Sequence, residues 1–178
     1  MRCEISRCLL AHLAGLAGAV PDQEICGLLL GEAGRIVAAV AMRNVAVDPT
    51  SRFAFAAADH VMTSRQARQS GLRIVGHYHS HPGGSAWPSR ADADQAGAQG
   101  VYWLIFGSGR WRLWISRRGG PVHGAYQPVA IAPEHAPPCN RVAQGPIGRG
   151  RVPGQGPRPH EISRIRELAL LPAVSRSA

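Results

Sequence analysis

Residues 101–106 (VYWLIF) are apolar without a break, and this run constrains the fold more than any other feature of the chain. A strand with one wet face alternates polar and apolar positions, whereas a strand apolar throughout is covered on both faces. The run therefore predicts a central strand in a sheet packed on both sides. After Gly107-Ser108-Gly109 the chain alternates instead. Trp111, Leu113 and Ile115 fall on one face and Arg110, Arg112 and Trp114 on the other, as in a half-exposed antiparallel neighbour.

The same reading extends along the chain. Residues 2–6 predict a short strand. Residues 7–20 predict a helix ended by Pro21, with Leu9, Leu13, Leu16 and Val20 at core-facing spacing. A secretory signal is the alternative for this segment; Glu4 in its basic region and His12 in its apolar run argue against it. Residues 24–30 (EICGLLL), closed by Gly31, predict a buried strand, and 35–47 its hairpin partner. Residues 52–55 predict a further strand, and 57–70 a helix stopped by Gly71. Residues 73–81 predict a strand, 81–88 a flexible loop, 89–99 a helix that starts at Ser89 and stops at Gly100, and 122–131 a last strand. The expected fold is α/β (α+β), a mixed β-sheet with flanking helices.

A chain of 178 residues with 45% hydrophobic and 17% charged residues forms a core and is not a charge-rich disordered chain. The net charge of +9 comes from Arg alone. Thirteen Arg face nine acids in 1–138, and seven face two in 139–178, so a nucleic-acid reading rests mainly on the tail. We expect one folded domain at 1–135 and a disordered Arg/Gly/Pro-rich tail at 136–178, with one short helix at 161–171. Cys3, Cys8, Cys26 and Cys139 form no C-x-x-C pair. Free thiols and a cytoplasmic location are expected. No apolar run reaches the roughly 18–20 residues of a membrane span.

The chemistry concentrates in residues 76–94 (GHYHSHPGGSAWPSRADAD). On a strand, His77, His79 and His81 share one face, with successive Cα atoms about 6.5–7 Å apart. Two such imidazoles can converge on one metal ion. Pro82 ends the strand, and the Ser89 cap starts a helix whose first turn presents Asp92. Two imidazoles and a carboxylate leave one tetrahedral position of zinc open, the arrangement of a hydrolytic site. The plainer alternatives are a histidine-rich edge strand beside an ordinary cap, and a solvated strand-end carboxylate for Glu24. His77 fits a supporting or core role better than a fourth ligand. Asp94 lies roughly 200° around the helix from Asp92. Cys26 is a conceivable nucleophile, but a buried thiol is the commoner state. His12, His60, His123 and His135 have no partners at ligand spacing.

His79-Ser80-His81-Pro82, a short spacer, then Ser89 and Asp92 resemble the motif of the JAMM (MPN+) metalloprotease family. Glu24-Ile25-Cys26-Gly27-Leu28-Leu29-Leu30-Gly31 resembles its upstream glutamate segment. The resemblance covers residues 1 to about 131 and implies an MPN/JAMM-like, cytidine-deaminase-like three-layer domain of compact prokaryotic type. It implies zinc held by His79, His81 and Asp92, with Glu24 as catalytic acid/base and Ser89 steadying the oxyanion. It further implies a metallopeptidase or isopeptidase that cuts after the C-terminal Gly-Gly of a ubiquitin-like or sulfur-carrier protein. Two other classes stay open. One is a non-catalytic MPN scaffold, against which all five filled positions argue. The other is a DNA-associated protein like the RadC group, which Ser80 and Gly83-Gly84 fit less well.

Overall fold

A computed structural model describes residues 1–133 and 143–144. The elements run β1 (Arg2–Ile5), α1 (Arg7–Ala19), β2 (Cys26–Glu32), β3 (Arg35–Met42), α2 (Ala57–Gln69), β4 (Arg73–Ser80), α3 (Arg90–Gln95), β5 (Tyr102–Gly107), β6 (Arg110–Gly120), β7 (Gly124–Pro133) and β8 (Ala143–Gln144). The sheet order is β1-β7-β6-β5-β4-β2-β3-β8, and β1 also pairs with β3, so the first seven strands pair in a closed circuit. Pairing is mixed: β4–β5 is parallel, while β2–β3, β2–β4, β5–β6 and β6–β7 are antiparallel. The expected mixed sheet with flanking helices is the one observed.

Alternation along the central strands divides the core. Leu29, Tyr78, Tyr102, Leu104 and Leu113 pack with Leu9 and Leu13 of α1. Leu28, Leu30, Trp103, Ile105 and Trp114 point the other way, toward Phe53 and Ala67 of the α2 side. Helices thus cover both faces of β5, as its unbroken apolar run requires. The β4–β5 pair is parallel, so the chain must cross over between them. That crossover contains α3, and it brings Asp92 to the end of β4.

Several expectations need correction. Val20 is 41% exposed, and Ala17 takes its place in the core, because the helix has ended at Ala19 and Val20 has left helical geometry. Residues 52–55 form no strand, and β3 stops at Met42. The reason is Asn44. Its side chain donates to the Arg52 carbonyl (2.8 Å) and accepts the Ala46 and Ala54 amides (3.0 and 3.2 Å), so the local backbone is satisfied without a ladder. The α3 helix stops at Gln95 rather than 99. The Ser116 hydroxyl takes the Ala98 carbonyl at 2.5 Å and draws the chain to β6. Trp114, expected on a half-exposed face, is 1% exposed because the loop after β4 covers it. Cys3 and Cys26 are free thiols, as expected, and both are buried. Among the described residues no helix is long and apolar enough to cross a membrane. The expected tail at 136–178 and helix at 161–171 lie outside the described residues, except for β8, which pairs with β3 in parallel.

Candidate metal centre

His79 is fully buried on β4, on the face of Trp103 and Phe53. His81 follows just past the strand end, and Asp92 lies in the first turn of α3. Their ligand atoms lie within 4.8 Å of one another. The two Nε2 atoms are 2.9 Å apart. His79 Nε2 lies 3.2 Å from one Asp92 oxygen and His81 Nε2 3.3 Å from the other. Asp92 is placed by a reciprocal cap: its Oδ2 accepts the Ser89 N–H (2.6 Å) and O–H (2.7 Å), while Ser89 Oγ accepts the Asp92 N–H (3.1 Å). Tyr126 donates to the Asp92 carbonyl at 2.6 Å. Burial pushes the Asp92 carboxyl up, but hydrogen bonds from His79 and His81 outweigh it and hold the group well below the usual carboxylate range.

The donor set fits a divalent cation. His81 Nδ1 faces the Ser85 carbonyl at 2.8 Å. A carbonyl only accepts, so the proton sits on Nδ1 and the Nε2 lone pair is left for the site. Two imidazole nitrogens and a carboxylate this close otherwise compete for a proton. A cation satisfies all three, and the absence of thiolate favours zinc or a comparable borderline ion over copper(I). Among the described residues His79 Nδ1 has no hydrogen-bond partner; Phe53 stacks on the ring at 4.6 Å.

Glu24 is brought to this centre by pairing with β4. Cys26 stands opposite His79 in the antiparallel register. Ser80 and Ile25 bond twice, Ser80 N–H to the Ile25 carbonyl and Ile25 N–H to Ser80 Oγ, both at 3.0 Å. Glu24 immediately precedes this pair and lies within electrostatic reach of His81 and Asp92. Its N–H donates to the Pro49 carbonyl at 2.8 Å, and Asn44 Nδ2 donates to its carbonyl at 3.0 Å. Glu24 is buried. Burial pushes its carboxyl up to about 7; His81 opposes the shift, while Asp92 and Asp48 add to it.

The five residues singled out from sequence, Glu24, His79, His81, Ser89 and Asp92, therefore meet at one place. His77 is not among them. Trp103 lies edge-on to its ring at 3.9 Å, its Nε2 has no hydrogen-bond partner among the described residues, and burial pulls its pKa down to about 3. It is a half-buried ring packed in this aromatic wall. Cys26 is also excluded as a nucleophile: burial pushes its thiol up to about 12, and its S–H faces the Met42 carbonyl. Sequence reasoning missed Asn44, Ser80 and Phe53. The flexible loop expected at 81–88 is held at several points.

A closed mixed sheet with a histidine pair at a strand end and a capped aspartate that together could hold a metal ion, and with a buried glutamate, is an arrangement of the JAB/MPN kind. Residues 7–116 match the family model for prokaryotic homologs of the JAB domain, and the chain belongs to that family. It is 32% identical over 99 residues to a desampylase of Haloferax volcanii, covering 54% of this chain and 71% of the relative. A desampylase of Pyrococcus furiosus is 30% identical over 93 residues, covering 52% and 66%. A solution structure of a protein from Desulfitobacterium hafniense shares the fold with a TM-score of 0.63 at 19% identity, covering 74% of this chain and 92% of that one.

Proposed function

We propose that this chain is a zinc metallopeptidase or isopeptidase that hydrolyses the bond after the C-terminal glycine of a ubiquitin-like or sulfur-carrier protein. The observation that carries the reading is the convergence of His79, His81 and Asp92 beside a buried glutamate whose carboxyl is raised to about 7. The two desampylase relatives support a hydrolase acting on a ubiquitin-like modifier. A terminal Gly-Gly suits a narrow approach, because only glycine lets the backbone come this close.

His79, His81 and Asp92 would hold the zinc, which supplies Lewis-acid polarisation of the scissile carbonyl and the attacking water. Glu24 takes the water's proton and returns it to the leaving amine; a pKa near the working pH suits both transfers. Ser89 is the oxyanion donor. Its proton points at Asp92, so donation to substrate requires it to turn away, while the Ser89 backbone N–H keeps Asp92 in place.

Two measurements test the assignment. Dialysis against zinc followed by elemental analysis should return about one zinc per chain. The His79→Ala, His81→Ala double variant should return none, and full retention there sinks the site. Ser89→Ala should lower stability by about 1 kcal/mol through the lost cap and slow cleavage of a Gly-Gly-ended fusion about 10²–10³-fold, with most zinc kept. An unchanged turnover number removes Ser89 from the chemistry.

A further inference from the structure

The loop from Pro82 to Pro88 carries three glycine or serine residues in a row, a composition expected to leave it free. It is not free. The Ser108 hydroxyl, in the β5–β6 turn, donates to the Gly84 carbonyl at 3.1 Å. Trp114 Nε1, on β6, donates to the Ala86 carbonyl at 3.0 Å. His123 Nε2, just before β7, faces the Pro88 carbonyl at 3.0 Å. Between the first two anchors lies Ser85, whose carbonyl accepts from His81 Nδ1 at 2.8 Å. Below the loop lies Gly107. A Cβ there would stand 2.4 Å from Ser85 C, 2.6 Å from Ala86 N and 2.7 Å from Gly84 O. The loop therefore rests directly on the Gly107 backbone. Trp87 adds a ring contact with Trp114 at 4.9 Å.

We infer that Ser108, Trp114 and His123, with Gly107 as the seat, form a clamp that positions His81 and Ser89. A carbonyl orients an imidazole only if the carbonyl is itself immobile. Ser85 is held on both sides, at Gly84 and Ala86, so the His81 ring inherits one orientation and presents Nε2 to His79 and Asp92. Pro88 is held immediately before Ser89, so the cap that carries Asp92 starts at one place. The anchors are distant in the chain, at separations of 24, 28 and 35 residues; the clamp therefore exists only once the β5–β6–β7 meander has formed. These are positioning residues, which act through His81 and Ser89. What the clamp serves rests on the metal-peptidase reading above; that the loop is clamped does not.

The test uses the full chain and three variants. Ser108→Ala removes one anchor at an exposed position. Trp114→Phe keeps a ring but removes the N–H. Gly107→Ala pushes the loop off its seat. The first readout is amide hydrogen exchange in metal-free protein at Gly84 and Ser89, whose N–H groups bond to the His81 carbonyl and to Asp92. Exchange there should quicken about five- to tenfold in Ser108→Ala and Trp114→Phe, the worth of one hydrogen bond, with Leu104 and Leu113 amides unchanged. The second is zinc affinity by chelator competition, which should weaken about tenfold or more, the usual scale for groups that orient a ligand. The visible spectrum of the cobalt-substituted protein should shift with it, a change that lost global stability alone does not produce. Should Trp114→Phe or Gly107→Ala fail to fold, Ser108→Ala decides by itself. Equal exchange at Gly84 and Ser89 in Ser108→Ala and wild type overturns the clamp. A wild type that binds no zinc overturns the metal reading and leaves the exchange result to judge the clamp.

Discussion

Glu24→Gln should leave zinc content unchanged and slow hydrolysis about 10²–10⁴-fold, the usual worth of a positioned general base. The substitution keeps the size and hydrogen-bonding outline of the side chain but cannot take a proton. Nothing else about the position should move. The Glu24 backbone is held by Pro49 and Asn44, and the next residue is bonded twice to Ser80, so the strand does not depend on the carboxyl. A second readout comes from stability in the metal-free protein. Burial raises this carboxyl from an ordinary value of 4.5 to about 7, so the folded state holds the proton more tightly than the unfolded chain. Wild type thus loses stability as pH rises from the lower value through the upper one, and below about 4.5 the cost is absent. The Gln variant carries no such cost. It should match wild type at pH 4 and exceed it at pH 8 by on the order of 3 kcal/mol, read as a difference in denaturant midpoints. Bound zinc would reduce this gap, since a nearby dication favours the carboxylate. Equal turnover of a glycine-ended substrate by Glu24→Gln and wild type would show Glu24 to be a bystander.

Most of the sheet could be read from local pattern, because its strands carry their burial in their own residues. The VYWLIF run and the EICGLLL run are apolar for the reason the structure makes plain: each has a packed layer on both sides. The convergence of the candidate ligands was also legible, since His79-Ser80-His81-Pro82 and Ser89 with Asp92 are adjacent in sequence and bring their own strand end and helix cap. What could not be read was set by distant partners. Trp114 sits in an alternating strand that looks half-exposed, and only a loop 28 residues away buries it. Phe53 belongs to a segment with strand-like composition, yet Asn44 satisfies the neighbouring backbone and turns the ring onto His79. Glu24 as a sequence position looks like a solvated strand end. Its burial follows from the β2–β4 register and the 43–55 segment, neither of which a local window contains. The residues that hold the site in place were therefore harder to see than those that form it.

Asp92→Asn should fold and lose its metal, and the hydrogen-bond arrangement says why both follow. One Asp92 oxygen accepts two donors from Ser89, its N–H and its O–H, while the other faces His79. An asparagine has one acceptor and one donor group. Turning the NH₂ toward Ser89 would set donor against donor, so the carbonyl must stay on Ser89 and keep the cap. The NH₂ is then fixed toward His79, where it donates to the Nε2 lone pair, while His81 Nε2 faces the retained carbonyl oxygen. That satisfies the buried His79 nitrogen without any cation and leaves the helix start intact. It also replaces a charged ligand oxygen by two hydrogens in the space a dication needs. Folding should therefore survive, with a stability change of about 1 kcal/mol or less from the altered cap. Zinc affinity should fall by well over the 10–100-fold typical of residues that only orient a ligand, and hydrolysis should fall with it. Chelator competition on the purified variant, beside its circular dichroism, separates the two effects. Stoichiometric zinc retained at wild-type affinity by folded Asp92→Asn would remove Asp92 from the ligand set and leave the two histidines without a third partner.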